Sequence, residues 1–266
     1  MNNMSQISQP IDFILILSCG RSGSTLLQRV LNTIEGYNIC GENYGAIEDL
    51  LLFYHKLKYS DRFIPRIENK ELTYQECINK EIKPCWYNTF DLSLIKNQIR
   101  NIILNMFNPL NEIDTLVEAI NLFTEKRKYR VVGFKEIRFG MYDPYAKGEL
   151  FEKLSVFSRD KEGLEIILDL LEELFPQDNE GYGGLRIIVN TRNVDDISKS
   201  GWWKGLESKK DIFLQQNLLI SCTRKRKNVY IIDYSDVSKN NLEGLFTWLN
   251  EPYDKDTIQK VLNVKL

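Results

Sequence analysis

The sequence has little of the side chains that most often hold metals or act as general bases. Its 266 residues include a single histidine, His55, which leaves little material for histidine-rich metal sites or Ser-His-Asp triads. Its five cysteines are odd in number, and none follows the Cys-x-x-Cys spacing. We therefore expect free thiols in a reducing compartment rather than a zinc site or a disulfide framework.

An excess of positive charge and long apolar runs are also missing. The chain has 35 lysines and arginines against 37 acidic residues, a formal charge of -2, whereas a dedicated nucleic-acid binder is normally basic. No apolar run reaches the length of a membrane span, and the first twelve residues lack the basic and apolar regions of a signal peptide. We expect a cytoplasmic protein without a nucleic-acid or membrane partner.

Short apolar runs alternate with segments of helical periodicity along most of the chain. Buried strands are predicted at about 13–17, 129–134, 185–191 and 229–232, with helices near 26–34, 46–58, 91–107, 112–127, 163–175 and 206–222. Strands separated by helices indicate an α/β fold, with helices on both faces of a mainly parallel sheet. The sequence thus predicts one three-layer α/β/α domain over 1–266, with insertions or lids at about 59–90 and 139–160.

The most informative segment is SCGRSGSTLL at 18–27, which follows the first predicted strand. Glycines 20 and 23 allow a tight turn, and the helix that follows offers its free N–H groups and positive dipole end to an anion. Arg21 adds a forked cation that suits a tetrahedral oxyanion. The hydroxyl donors are Ser22, Ser24 and Thr25. In the alternative interpretation the turn only caps the helix, with Ser24 or Thr25 as the N-cap. The lysine of a Walker A motif is absent, which weakens the case for a nucleoside triphosphatase.

A second candidate element follows the strand predicted at 185–191. Arg192 stands at the carboxyl end of that strand, where open α/β sheets bind ligands. If 194–200 is helical, Ser200 returns toward Arg192, and the two side chains could hold one phosphate.

Together these elements resemble the sulfotransferases that use 3′-phosphoadenosine-5′-phosphosulfate (PAPS). Members often carry Arg-Ser-Gly-Ser-Thr, as at 21–25 here, and a strand that ends in Arg with Ser eight residues later, as at Arg192 and Ser200. Tyr234-Ser235-Asp236-Val237 looks like a divergent copy of the family's Tyr-Glu-Asp-Leu. The similarity covers about 12–37, 129–138, 164–203 and 228–250. The Arg-Lys-Gly segment of many cytosolic members is missing.

The resemblance implies roles for these residues. Residues 21–25 would cradle the 5′-phosphosulfate, Arg192 and Ser200 would hold the 3′-phosphate, and Tyr234 would lie near the adenine. PAPS would be the donor and adenosine 3′,5′-bisphosphate (PAP) the product. No metal is expected, because the transferred sulfuryl group carries less charge than a phosphoryl group.

The resemblance also implies a catalytic lysine and a general base. Lys135, at the end of the strand in VVGFKEIRF, matches the position where the family often has its lysine. Cytosolic animal members place a histidine two residues later, where this chain has Ile137. Branches that act on tyrosine or sugars often carry a glutamate after the first helix, and Gly41-Glu42 stands there. Glu42 is therefore the predicted base, with Glu136 and Glu48 as alternatives.

The acceptor is the least constrained part of the sequence-based prediction. The compact length and free thiols favour a small-molecule acceptor with a hydroxyl or amine. We expect a polar natural product of secondary metabolism, although no single residue indicates it. Aromatic side chains that could line its pocket are Trp86, Trp202, Trp203, Tyr44 and Tyr142. Two other functions stay open: a P-loop nucleotide kinase, and a nucleotide-binding module without catalytic activity.

Overall fold

The carboxyl ends of five parallel strands form one edge of a continuous sheet. A computed structural model of the chain describes residues 12–43, 45–59, 92–107, 129–139, 160–177, 184–204 and 209–264. The strands are β1 (Asp12–Ser18), β2 (Tyr37–Cys40), β3 (Val131–Glu136), β4 (Leu185–Thr191) and β5 (Val229–Asp233). Their spatial order is β2-β3-β1-β4-β5, and every neighbouring pair is parallel. The predicted α/β class is confirmed.

Helices connect the strands, as parallel strands require. Within the described residues they are α1 (Ser24–Leu31), α2 (Ala46–Tyr59), α3 (Leu92–Phe107), α4 (Lys161–Leu174), α5 (Val194–Ser198), α6 (Lys209–Thr223), α7 (Tyr234–Ser238), α8 (Glu243–Leu249) and α9 (Lys255–Asn263). In this part of the chain, a 3-10 turn also spans Gly201–Trp203. None of these helices is both long and apolar enough to cross a bilayer.

The central strand β1 shows how the three layers form. Its side chains alternate between the two faces of the sheet, as in any strand. Phe13, Leu15 and Leu17 belong to the core beneath α2, α3, α4 and α6, whereas Ile14 and Ile16 belong to the core beneath α1, α8 and α9. Both faces are therefore buried, which accounts for the uninterrupted apolar run in the sequence.

Most predicted elements are present within about two residues of their expected bounds, and two short ones were missed. Strand β2 has only four residues and α7 has five, too few to show a period. The helix considered at 194–200 is present as α5. The helix predicted at 112–127 lies outside the described residues. So do the predicted insertions, except for Tyr59, which ends α2, and for 139 and 160 at the margins.

The register of the sheet positions the candidate residues. Leu17 of β1 pairs with Glu136 of β3, and Ser18 pairs with Asn190 of β4. The turn after β1 therefore lies between the segments that follow β3 and β4. Neighbouring strands are about 4.8 Å apart, so residues far apart in the sequence meet at this edge.

Candidate active site

The turn between β1 and α1 has an unusual backbone conformation. Arg21 and Gly23 both have positive φ, 67° and 91°, a region that is disfavoured for residues other than glycine. Gly23 is the N-cap of α1, so neither Ser24 nor Thr25 caps the helix, contrary to the alternative interpretation of the turn. Ser24 is instead the first helical residue, and Thr25 is exposed at the helix start.

Arg21 and Ser200 meet above this turn. The Nε of Arg21 donates to Oγ of Ser200 at 3.3 Å, across 179 residues of sequence. Asn193 makes this possible because its side chain caps α5, accepting from the N–H of Asp195 at 2.8 Å, and the short helix then brings the chain back. A Cβ on Gly201, whose φ is +57°, would lie 2.6 Å from Nε of Arg21. Glycine at 201 thus leaves room for the arginine.

Arg192 contacts the same turn from the end of β4. Its Nη1 donates to the carbonyl oxygen of Arg21 at 3.1 Å, and its guanidinium lies 4.3 Å from the ring centroid of Tyr234. Tyr234 begins α7 directly after β5, and its ring lies against Gly23, where a Cβ would overlap it. The structure thus brings Arg21, Gly23, Arg192 and Tyr234 together, with Ser200 beside them.

Ser22 faces the interior, unlike the other hydroxyls of the turn. It is fully buried, and its hydroxyl accepts from Nδ2 of Asn190 at 3.1 Å. Its N–H donates to the carbonyl of Cys19 at 3.2 Å. In this conformation the hydroxyl of Ser22 is directed at the sheet, so the predicted contact with a phosphate is not available to it.

Lys135 and Glu42 form an ion pair at the ends of neighbouring strands. Nζ of Lys135 contacts Oε1 of Glu42. The pair arises because β2 and β3 are paired with Cys40 opposite Phe134, which places the residues that follow side by side. The side chain of Glu42 is 25% exposed and that of Lys135 is 10% exposed. A partly exposed carboxylate and a largely buried lysine thus lie together, one strand away from the turn.

The alternative bases have different surroundings. Glu136 is buried, and its Oε1 accepts from the N–H groups of Ile137 and Arg138, both at 3.0 Å. Burial raises the pKa of this carboxyl above its ordinary value. Glu48 is also buried, within α2. Both carboxylates are less accessible than that of Glu42, whose side chain is 25% exposed.

The single histidine does not belong to the site. His55 lies on α2 with its ring 4.8 Å from that of Tyr59, and burial lowers its pKa. Among the described residues, no group of three or more His, Cys, Asp or Glu side chains is arranged to hold a metal ion.

Of the aromatic residues considered for an acceptor pocket, only Trp203 has a described side chain. It is buried, and its Nε1 donates to the carbonyl of Gly20 at 3.1 Å. Trp203 therefore packs behind the turn rather than lining an open pocket. Trp86, Tyr44 and Tyr142 lie outside the described residues, as does the side chain of Trp202.

Two buried amides were missed from the sequence although they contact the site. Asn190 of β4 contacts Ser22, and Oε1 of Gln216 on α6 accepts from the N–H of Arg192 at 3.0 Å. A polar residue at the end of an apolar strand was the only available signal for Asn190. Nothing in the pattern of α6 distinguishes Gln216 from a solvent-facing glutamine.

No protein family profile and no curated protein sequence matches this chain. Solved structures similar to it include the sulfotransferase domain from the curacin biosynthetic pathway, with a TM-score of 0.43 and 14% identity over 97% of this chain and 80% of that chain. A sulfotransferase from Alicyclobacillus acidocaldarius has a TM-score of 0.38 and 12% identity over 93% and 83%. A thymidylate kinase from Candida albicans has a TM-score of 0.40 and 14% identity over 91% and 94%. Similarities this distant do not separate sulfotransfer from phosphotransfer.

Proposed function

We propose that this protein is a sulfotransferase that moves a sulfuryl group from PAPS to a hydroxyl or amine of a small molecule and releases PAP. The observation that carries the proposal is the Lys135–Glu42 pair, one strand away from a turn whose cation is Arg21. An anion site and an acid–base pair at one sheet edge are the two parts that such a transfer needs.

The cations around the turn fit a doubly phosphorylated adenosine. Arg21 and the start of α1 would hold the 5′ group, because free N–H groups and a guanidinium both favour tetrahedral oxyanions. Arg192 and Ser200 would hold the 3′-phosphate. The ring of Tyr234, already packed on Gly23 and Arg192, offers a flat surface for the adenine.

Lys135 and Glu42 would divide the chemistry between them. The donor supplies an activated sulfuryl group when it is bound. Glu42 would take the proton that the acceptor loses as its oxygen or nitrogen bonds to sulfur. Lys135 would stabilise the negative charge that remains on the 5′-phosphate as its bond to sulfur breaks, since such transfers depend on positioning and charge stabilisation.

The contact between the two groups has a consequence for the order of events. Lys135 cannot pair closely with both the Glu42 carboxylate and an anionic donor, because its ammonium group carries one compact charge. Binding of an anionic donor beside Lys135 would draw the ammonium group away from Glu42. The carboxylate of Glu42 would then be free to meet the acceptor when the donor is bound, which limits proton abstraction to the loaded enzyme.

The acceptor is proposed only by class. A polar small molecule, such as a natural product with a free hydroxyl or amine, agrees with the partly exposed Glu42 carboxylate.

Replacing Glu42 by glutamine tests the catalytic half of this proposal. Glu42→Gln removes the base but keeps the side chain's shape, so we expect sulfuryl transfer to a pool of small hydroxyl and amine acceptors to fall at least a hundredfold. Transfer is followed by mass spectrometry, and PAP affinity by calorimetry should stay within threefold of wild type. Asp49→Asn, an exposed carboxylate on the neighbouring helix, is the matched control and should keep full activity.

Two results would contradict the assignment of Glu42 as the general base. Near-normal turnover of Glu42→Gln would show that another group takes the proton. Equal losses in Glu42→Gln and Asp49→Asn would show that the local negative charge, rather than one carboxylate, is required.

A further inference from the structure

Three consecutive carbonyl oxygens of the turn each accept a hydrogen bond from a side chain of the segment that begins in β4. The carbonyl of Gly20 accepts from Nε1 of Trp203 at 3.1 Å, and that of Arg21 accepts from Nη1 of Arg192 at 3.1 Å. The carbonyl of Ser22 accepts from Nδ2 of Asn190 at 2.9 Å. The turn is therefore attached to β4 and its 3-10 turn at every peptide from 20 to 22.

Two of these three contacts are shielded from water. Asn190 is 1% exposed, Ser22 is fully buried and Trp203 is 2% exposed. A carbonyl oxygen can only accept, so the amide of Asn190 must present its nitrogen to Ser22, and the indole can only donate. Loss of either donor would leave a buried carbonyl without a partner, which the turn could relieve by rotating that peptide.

Rotation of these peptides matters because it moves an N–H group. In a trans peptide the C=O and the N–H of the next residue point in opposite directions. The contact on Ser22 thus directs the N–H of Gly23 away from Asn190, and the contact on Gly20 directs the N–H of Arg21 away from Trp203. The positive φ of Arg21 and Gly23 belongs to the same arrangement.

We propose that Asn190 and Trp203 are positioning residues that hold the N–H groups of Gly23 and Arg21 in the direction of a bound phosphate-type anion. The inference rests on the proposed function in taking the donor nucleotide as that anion. Neither side chain contacts the ligand itself. They act by fixing the peptides from behind, so that α1 and the turn offer N–H groups that need no reorganisation on binding.

Asn190→Ala is the first test, with Asn228→Ala as its matched control. Nδ2 of Asn228 also donates to a main-chain carbonyl at 2.9 Å, that of Leu185 at the opposite end of β4. Calorimetry with PAP should show affinity about tenfold weaker for Asn190→Ala and within twofold of wild type for Asn228→Ala. Both variants are compared at a temperature where circular dichroism shows full folding.

The amide resonances of the ligand-free, ¹⁵N-labelled protein distinguish a positioning role from general destabilisation, because each variant should shift a different N–H resonance. Asn190→Ala should shift the N–H resonance of Gly23 and leave that of Arg21 near its wild-type position. Trp203→Phe, which keeps an aromatic ring but loses the donor to Gly20, should do the reverse. The second variant also keeps the proposal testable if Asn190→Ala does not fold.

The results separate this inference from the proposed function. Wild-type affinity or unmoved Gly23 and Arg21 resonances in both variants would overturn the inference, whatever the protein binds. If wild-type protein binds ATP-Mg but not PAP, the proposed function fails, and the same variants titrated with ATP-Mg decide the inference. If it binds neither nucleotide, both proposals fail.

Discussion

Gly23 is the residue at which backbone and side-chain constraints meet most closely. Its φ of +91° is costly for any residue with a Cβ, and the ring of Tyr234 occupies the space that a Cβ would need. Glycine at this position therefore serves both the left-handed cap of α1 and the close approach of the tyrosine.

Gly23→Ala should disable nucleotide binding and destabilise the fold. We expect a loss of about 1–3 kcal/mol in the free energy of unfolding, the usual cost of such strain, and at least a tenfold loss of PAP affinity because Tyr234 must move. Gly41→Ala is the control, since a Cβ there meets nothing within 4 Å. Urea unfolding and calorimetry measure both quantities, and similar results for the two alanines would contradict this account of the turn.

Glu136 makes stability depend on pH in a direction opposite to that of an ordinary paired carboxylate. Burial raises its pKa in the folded state, and the nearby charge of Glu42 adds to this effect, although two N–H groups and Arg138 oppose it. The native state therefore binds the proton more tightly than the unfolded chain. This contribution to stability is complete below the unfolded pKa and is lost as pH rises through the folded pKa.

The pH dependence can be measured with a pair of variants. Glu136→Gln keeps an oxygen for the N–H groups of Ile137 and Arg138, so its stability relative to wild type should increase as pH rises from about 4 to 7. Glu173 is partly desolvated, but hydrogen bonds from Lys58 and Tyr54 lower its pKa overall. Glu173→Gln should therefore lose stability relative to wild type over the same range. The free energy of unfolding of both variants is measured by urea unfolding at several pH values. If the two variants changed in the same direction with pH, relative to wild type, this explanation would be contradicted.

Short motifs in the sequence indicated several residues of the site. Contacts made by polar residues within apolar segments, such as Asn190, were not predictable. The spacing of Arg192 and Ser200 predicted that the two hold one phosphate together, whereas in the structure Ser200 accepts from Arg21 and Arg192 donates to the carbonyl of Arg21. The hydroxyl of Ser22 was expected to face a ligand, but Asn190 draws it toward the sheet. Such a contact depends on a strand register that only the folded chain defines.

Helix α4 shows how much of an element can be read from its sequence. Its apolar positions repeat with helical spacing, and its N-cap, Asp160, accepts from the N–H of Gly163 at 2.8 Å. Strand β2, by contrast, is not among the predicted strands, because four residues are too few for alternation to stand out. That omission matters, since β2 is what brings Glu42 to Lys135.

Removing the cap of α4 should affect stability without affecting the site. Asp160→Ala should cost about 1 kcal/mol in the free energy of unfolding, the typical value for an N-cap. Helix α4 belongs to the core on the face of the sheet opposite α1, so PAP affinity should not change. Asp169 also lies on α4, where its exposed carboxylate pairs with Arg226. Asp169→Ala should cost less free energy of unfolding than Asp160→Ala, because exposed ion pairs contribute little. Urea unfolding measures both losses. A larger loss of free energy of unfolding in Asp169→Ala than in Asp160→Ala would contradict this prediction.

At the scale of the molecule, the parallel sheet is what assembles the site. Carboxyl ends of parallel strands share one edge, and the order β2-β3-β1-β4-β5 places the turn after β1 between β3 and β4. The alternation of strands and helices was sufficient to predict this class of fold. The strand order was not predictable in the same way, because it depends on which helices cover which face.

The central claim is that the turn and its cations bind an adenosine carrying both a 3′ and a 5′ phosphate. Thermal unfolding in the presence of PAP, ATP-Mg or neither tests it most directly, since a ligand that binds only the native state stabilises it by about 2.7 kcal/mol at one hundred times its dissociation constant. We predict a clear rise in melting temperature with PAP, little change with ATP-Mg, and loss of the PAP effect in Arg192→Ala. Stabilisation by ATP-Mg alone would contradict the account and indicate a nucleotide kinase.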